Sequence, residues 1–352
     1  MSTFSPQIKY NAYSHQGMKR SNNEDSFLVD ESLGLYIVCD GMGGHAAGEV
    51  ASKLAVESIH KTFKTAMTGR WSVKTSEERE KIKKFTEFSI LQACHDIFQT
   101  AQEDETKRGM GTTISMILII ENKAFIGHVG DSRCYLVRNH QTYQITEDHT
   151  IVDELIKAGL VDKKDRNNPG IPNALTRALG VHPTVKVDIL EIDLLPNDLF
   201  LLCSDGLHGY LDKDKKTLNQ LLEGMNVEQI PHHLINYAND SGGKDNITVI
   251  NIHVEKTAET KNTQQIRTSF SILQKLQLFQ ELNYKEHVEL FSICQLQEYE
   301  KNTIIIEEGL IGDALYILID GMVNVSKDSI LLTTLNQGQH FGEMSLFDDA
   351  PR

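Results

Sequence analysis

The chain of 352 residues has little that would mark export, membrane insertion or nucleic-acid binding. Its opening stretch, "MSTFSPQIKYNAYSHQG", lacks the apolar core of a secretory signal. The longest apolar runs, such as "ISMILII" at 114–120, are far too short to cross a bilayer. Basic residues are outnumbered, with 35 Lys and Arg against 49 Asp and Glu, a net charge of -14. Such a chain has no excess of cations to displace the counterions of a nucleic acid. The five cysteines (39, 94, 134, 203, 294) are odd in number and show no C-x-x-C spacing. They read as reduced core thiols of a cytoplasmic protein. The fourteen histidines never form H-E-x-x-H, which counts against a zinc hydrolase.

What is present is a globular composition, 40% hydrophobic and 24% charged, in a length that suits two domains. Residues 34–39 read as a buried strand. Val50, Leu54, Ile59 and Phe63 recur at helical spacing, which predicts a helix over 46–66, and a second is expected over 77–103. Residues 112–145 then read as four strands joined by turns at Glu121-Asn122-Lys123, Gly130-Asp131-Ser132 and Asn139-His140. Connections this short imply antiparallel neighbours. A further strand pair is expected across Pro196-Asn197, with helices near 213–223 and 227–239 and a closing strand at "NITVINIHV". The sum is an α+β layered domain. The polar stretch "EKTAETKNTQQIRTS" reads as a linker, followed by a β-rich module with short helices. The expected boundaries are a first domain at 1–254, a linker at 255–268 and a second domain at 269–352. No repeat links the halves.

One stretch, "VCDGMGGHAAGEV" at 38–50, holds an ambiguity. Gly41, Gly43 and Ala46 fit the G-x-G-x-x-A pattern of a dinucleotide site, yet the strand before them ends on Asp40. A dinucleotide fold needs a second parallel strand ending in an acid about 20 residues on. Here the helix runs past His60, and the later strands form hairpins. The same punctuation recurs at Gly130-Asp131, Ser204-Asp205-Gly206 and Lys244-Asp245-Asn246, and "RSNNED" supplies Arg20, Glu24 and Asp25. Each alone is an ordinary turn. Together they place acids at strand ends, where one sheet edge can gather them. Clustered carboxylates repel unless cations are present, and oxygen-only ligands select Mg²⁺ or Mn²⁺.

Eight stretches carry a resemblance: "RSNNEDS", "VCDGMGGHAAGEVAS", "GMGTT", "IGHVGDSRCYL", "ITEDHT", "NALTRALG", "LLCSDGL" and "GGKDNITV". In this order they resemble the metal-dependent protein phosphatases of the PPM type (type 2C), over residues 7 to about 254. The resemblance implies a four-layer α-β-β-α sandwich of two antiparallel sheets flanked by helices. It implies two Mn²⁺ or Mg²⁺ ions, with Asp40 bridging both and the Gly41 carbonyl on one. Asp205 and Asp245 would hold the other ion. Glu24 would act through water, with Asp25 behind the ligands, and Asp131 with Asp205 would take a third, weaker ion. Two such metals about 3.5–4 Å apart would activate a water for in-line attack on a phosphate of phosphoserine or phosphothreonine. Arg20 presents a fork to two phosphate oxygens. Met42 stands where some members carry a histidine as general acid. His45 is the nearby candidate; local packing is its other reading, and a metal-bound water could donate the proton instead. Thr113 and His149 fall in family motifs and read as structural. The segment after residue 150 matches the variable flap beside the active site.

After residue 269, "LQLFQELN", "EEGLIGDALYILIDGMVNV" and "LNQGQHFGEMSLFDDAPR" resemble a cyclic nucleotide-binding domain. That resemblance implies a partial β-roll in which Glu343 binds the ribose 2′-hydroxyl. Backbone N–H groups near Gly342 to Ser345 would face the cyclic phosphate, and Arg352 would pair with it. The other reading is a roll kept for packing or dimerisation. A complete domain of this kind would continue past Arg352, so the sequence reads as a piece of a longer protein whose second domain is incomplete. Domain order implies regulation of a phosphatase by cyclic AMP or cyclic GMP. The rival reading, a degenerate phosphatase fold serving as a sensor, fits poorly with an intact set of Arg20, Asp40, Asp131, Asp205 and Asp245.

Overall fold

A computed structural model describes residues 6–43, 47–66, 71–166, 168, 170–212, 218–257, 261–309, 314–328 and 330–343. The chain divides into two compact units, Met1–Ala258 and Glu259–Arg352.

The first unit contains β1 (Gln7–His15), β2 (Asp25–Asp30), β3 (Leu35–Met42), α1 (Ala47–Ala66) and α2 (Ser76–Glu103). It continues with β4 (Gly111–Thr112), β5 (Ile114–Ile120), β6 (Lys123–Val129), β7 (Arg133–Arg138), β8 (Gln141–Gln144) and α3 (Ile151–Lys157). It closes with β9 (Asp188–Asp193), β10 (Leu199–Cys203), α4 (Asp205–Leu211), α5 (Leu218–Leu222), α6 (Ile230–Asp240) and β11 (Ile247–Lys256). One antiparallel sheet has the order β1-β11-β10-β7-β8 and the other β2-β3-β5-β6-β9, with β4 beside β3. Helices α1 and α2 cover the second sheet, and α4 and α6 cover the first. The result is a four-layer α-β-β-α sandwich.

Strand alternation builds the layers. On β3, Leu35, Ile37 and Cys39 join Ile59, Phe63, Ile90 and Ile97 in the core beneath α1 and α2. Tyr36 and Val38, buried on the opposite face, point between the sheets, and Asp40 continues that row. On β10 and β11, Leu201, Cys203, Ile247 and Val249 pack against α4 and α6. Each fully buried side chain of this kind contributes about 2 kcal/mol. Helix α2 starts at a capping box: Thr75 Oγ1 accepts from Glu78 N at 3.1 Å, and Glu78 Oε2 accepts from Thr75 N at 3.0 Å.

Several expectations change. β9 and β10 do not pair across Pro196-Asn197, because β9 joins β6 while β10 lies between β7 and β11. β6 and β7 are likewise in different sheets, although Gly130-Asp131-Ser132 alone joins them. Both short connections carry the chain from one sheet to the other. Strand β1, at the edge of the first sheet, adds to the expected elements. Asp205 opens a helix, and of the helix expected over 213–223 the described part is α5.

In the second unit, α7 (Lys261–Lys275) and α8 (Tyr284–Ile293) precede β12 (Tyr316–Ile317), β13 (Met322–Lys327), β14 (Ile330–Asn336) and β15 (His340–Phe341). β12 pairs with β15 and β13 with β14, in keeping with a small β-roll. The 255–268 stretch is not linker throughout, since β11 runs to Lys256 and α7 begins at Lys261. Its polar residues suit a helix surface as well as they suit a tether. Phe270 stacks edge-on against Tyr284 and Phe291, which holds α7 to α8.

Candidate active site

At one end of the sandwich, where the chain crosses between sheets, a cavity of about 350 Å³ opens. Arg20, Glu24, Asp40, Gly41, Met42, Gly43, Thr113, Asp131, Leu175, Asp205, Asp245 and Asn246 line it. The structure thus brings together Arg20, Glu24, Asp40, Gly41, Asp131, Asp205, Asp245 and Thr113 from the residues expected. Asp25 lies directly behind them, in register with Asp40 on the paired strands β2 and β3. His45 falls outside the described residues.

Backbone contacts set the positions. Thr113 N donates to Asp40 O at 2.9 Å, and Asp40 N donates to Thr113 Oγ1 at 3.0 Å. Thr113 Oγ1 also shares a 2.7 Å hydrogen bond with Ser132 Oγ, which ties the end of β3 to the turn that carries Asp131. Gly41 N donates to Glu24 O at 3.2 Å. A Cβ on Gly41 would sit 2.1 Å from Gly48 O, so only glycine lets β3 approach the start of α1 this closely. Gly206 plays the same part at the other wall, where a Cβ would meet Asn246 O at 1.9 Å. That close approach places the Asp205 turn against the Asp245 turn.

Asn246 is a positioning residue that turn statistics hid. Its Oδ1 accepts from Glu24 N at 2.8 Å, and its Nδ2 donates to Gln16 O and Asn22 O at 2.9 and 2.8 Å. One side chain therefore holds the Arg20–Glu24 loop against the start of β11. Arg20 Nη2 donates to Asp245 Oδ2 at 2.7 Å. Met42, also on the lining, has no proton to give. His149 accepts from Gly130 N through Nδ1 at 3.1 Å and is buried, a structural place.

Burial and mutual repulsion act on the acids together. Burial, followed by the carboxylates of Asp25, Asp205, Asp131 and Asp245, pushes Asp40 well above the usual range. Burial and then Asp245 push Asp205 up to about 6, and burial and then Asp205 push Asp131 up to about 6. Burial raises Asp25 to about 7 despite hydrogen bonds from Thr248 and Ser204. Glu24 is also raised, chiefly by burial.

The donor set fits hard divalent cations. Asp205 Oδ1 and Asp25 Oδ1 are buried without a hydrogen-bond partner among the described residues. Orphaned carboxylate oxygens in an acidic cavity are the condition that Mg²⁺ or Mn²⁺ relieves. Among the described residues the lining includes neither histidine nor cysteine, the ligands that zinc favours. Among the described residues no three His, Cys, Asp or Glu side chains close tightly around one point. Backbone carbonyls and water would therefore complete each coordination shell.

In the second unit, Gly342 follows β15 with φ of 87°, and Glu343 comes next. Ser345 and Arg352 lie outside the described residues.

Comparison with known proteins agrees with this geometry. Residues 13–237 match the family model "Protein phosphatase 2C", and residues 296–352 match "Cyclic nucleotide-binding domain". The chain is 34% identical over 258 residues to the serine/threonine phosphatase stp of Listeria monocytogenes, covering 70% of this chain and 96% of that protein. It is 33% identical over 236 residues to protein phosphatase PhpP of Streptococcus pneumoniae, covering 66% and 92%. Among solved structures, the Mycobacterium tuberculosis serine/threonine phosphatase PstP/Ppp superposes with a TM-score of 0.62 at 32% identity, covering 71% of this chain and 99% of that one. A structure of the PstP catalytic domain in complex with 2 manganese ions matches with a TM-score of 0.60 at 32% identity, with the same coverage. The acidic cavity, the sandwich that builds it and these relatives converge: the chain belongs to the protein phosphatase 2C family, the metal-dependent protein serine/threonine phosphatases.

Proposed function

We propose that this chain hydrolyses phosphoserine and phosphothreonine in proteins at the acidic cavity, using two Mn²⁺ or Mg²⁺ ions. The observation that carries the reading is the convergence of Asp40, Asp131, Asp205, Asp245 and Glu24 on one opening beside Arg20. Asp40 would hold both ions, the Gly41 carbonyl one of them, and Asp205 with Asp245 the other. Asp131 with Asp205 would take a third, weaker ion, and Glu24 would act through water. Two such ions supply an activated water and offset phosphate charge. Asp25, behind Asp40, keeps the two strand ends in place. The Arg20 guanidinium has five N–H donors and gives one to Asp245, so its fork retains donors for phosphate oxygens. Phosphate release from a phosphothreonine peptide, with and without Mn²⁺, tests the reading. Activity that survives chelation, or that survives Asp205→Asn, would overturn it.

The second unit supports a further part of the proposal: cyclic AMP or cyclic GMP binds there and regulates hydrolysis. Glu343 would take the ribose 2′-hydroxyl, backbone N–H groups near Gly342 to Ser345 the cyclic phosphate, and Arg352 its charge. The family match over 296–352 supports this. Calorimetric titration of the whole protein with each nucleotide tests it, and absence of heat from both would reject it. The five cysteines are unpaired, four of them buried, which supports a reducing, cytoplasmic setting.

A further inference from the structure

Leu175 lines the cavity, and it ends a segment that begins at Ile151. The base of this segment is stitched by two backbone bonds, Ile151 N to Ala174 O at 3.0 Å and Thr176 N to His149 O at 2.8 Å. The body of the segment has almost no core of its own. Among the described residues from Ile151 to Ala174, only Val152 is buried, and Leu160 is 72% exposed. Apolar burial therefore does not hold this segment in place.

A charge cluster does. Arg166 donates through Nε and Nη2 to Asp153 at 3.0 and 2.8 Å, inside the segment. The same guanidinium reaches outside the segment: Nη2 donates to the buried Asp148 Oδ2 at 2.5 Å and Nη1 to Asp212 Oδ2 at 2.8 Å. Both carboxylates are already gripped by Arg133, which is 1% exposed. Arg133 Nε donates to Asp148 Oδ1 at 2.9 Å, and its Nη1 to Asp212 Oδ1 at 2.9 Å. Two arginines and three carboxylates thus form one network. Arg133 follows the Asp131 turn, and Asp212 caps the helix that Asp205 opens. The network joins the segment to both elements that present those acids.

We infer that Arg166 is a positioning residue, which latches segment 151–175 against the cavity and so favours protein-borne phosphate over small phosphate esters. The inference rests on reading the cavity as the phosphatase site. A small ester needs only the acids and Arg20. A phosphopeptide extends past the phosphate and must lie along the segment that Leu175 ends. A loosened segment raises KM for the peptide and leaves the small ester unaffected.

The test uses the whole protein with Mn²⁺, p-nitrophenyl phosphate and a phosphothreonine peptide. Arg166→Met should keep small-ester turnover within about twofold and lower peptide kcat/KM about tenfold, mainly through KM. Asp153→Asn, which leaves the Arg133 pairs intact, should move the same way. Arg166→Lys should not restore the peptide, since one ammonium cannot replace a planar fork shared by three carboxylates. Thermolysin should cut the Met variant faster within 151–175. Equal losses on both substrates, or unchanged peptide kinetics with unchanged proteolysis, would overturn the latch. If the unmodified protein shows no Mn²⁺-dependent hydrolysis of the small ester, the site reading fails, and the proteolysis comparison still decides the latch.

Discussion

Thr248 Oγ1 donates to Asp25 Oδ2 at 2.7 Å, and that bond crosses from one sheet to the other. It belongs to a closed ring. Asn23 Nδ2 donates to Ser14 Oγ at 2.8 Å, Ser14 Oγ lies 2.7 Å from Thr248 Oγ1, and Asp25 N donates to Asn23 Oδ1 at 3.2 Å. Ser204 Oγ adds a second donor to Asp25 Oδ2 at 2.8 Å. The sheets are thereby pinned beneath the residues proposed to hold metal.

Thr248→Val removes one of the two donors to a buried carboxylate and opens the ring. It should cost about 2 kcal/mol of stability. It should also weaken Mn²⁺ activation, because the Asp25–Asp40 pairing loses its brace. Thermal denaturation and a metal titration of activity check this. An unchanged melting temperature would contradict it.

The metal-free protein should become less stable as pH rises. Asp25, Asp131 and Asp205 have folded values raised to about 7, 6 and 6. The folded state therefore binds more protons than the unfolded chain from about pH 4 to about pH 7, and stability falls as pH rises through that window. Mn²⁺ replaces the protons, so its stabilising effect should be larger at about pH 8 than at about pH 6. Melting curves in chelator and in Mn²⁺ at the two pH values measure both effects.

The network around Arg133 has the opposite sign. Burial alone would raise Asp148, but the charge and hydrogen bonds of Arg133, with Arg166, hold it down to about 2. Its stabilisation is complete above the unfolded carboxylate value and is lost as pH falls from about 4 through about 2. Asp148→Asn should flatten this acid limb. Arg133→Met strips the buried Asp148 carboxylate of its main partner and should cost about 3–5 kcal/mol. Acid titration followed by circular dichroism, with urea unfolding at neutral pH, separates the two.

Gly206→Ala forces the Asp205 turn away from Asn246, which a Cβ would meet at 1.9 Å. A stability loss of about 2 kcal/mol is expected, together with a clear rise in the Mn²⁺ concentration needed for activity. Gly209→Ala, with nothing within 4 Å of the added Cβ and no positive φ, controls for side-chain size.

The acids of the cavity were readable because they stand at strand ends, where Gly and Asn punctuation is visible. The helices α1 and α2 were readable from apolar spacing. The pairing of strands was less so. A loop of three to five residues shows that two strand ends are near each other, but not that the strands share a sheet. Thus Gly130-Asp131-Ser132 and Pro196-Asn197 read as hairpins when they are crossings between sheets. Those crossings separate the layers, and the first of them brings Asp131 to the cavity. The Arg133, Asp148, Arg166 and Asp212 network left no trace, since charges from distant stretches carry no period until the fold brings them together. Asn246 was seen as a turn residue, and its bonds to the Arg20–Glu24 loop depend on contacts across the whole unit.

The place of β11 has a consequence for synthesis. This strand, the last of its unit, inserts between β1, the first made, and β10. On the ribosome, Asp40 and Asp131 emerge long before Asp245, and nothing local can bring them to it. Until that strand is made, the chain lacks Asp245 and so the carboxylate to which Arg20 donates. The gap between β1 and β10 is filled only when residues 247–256 are available.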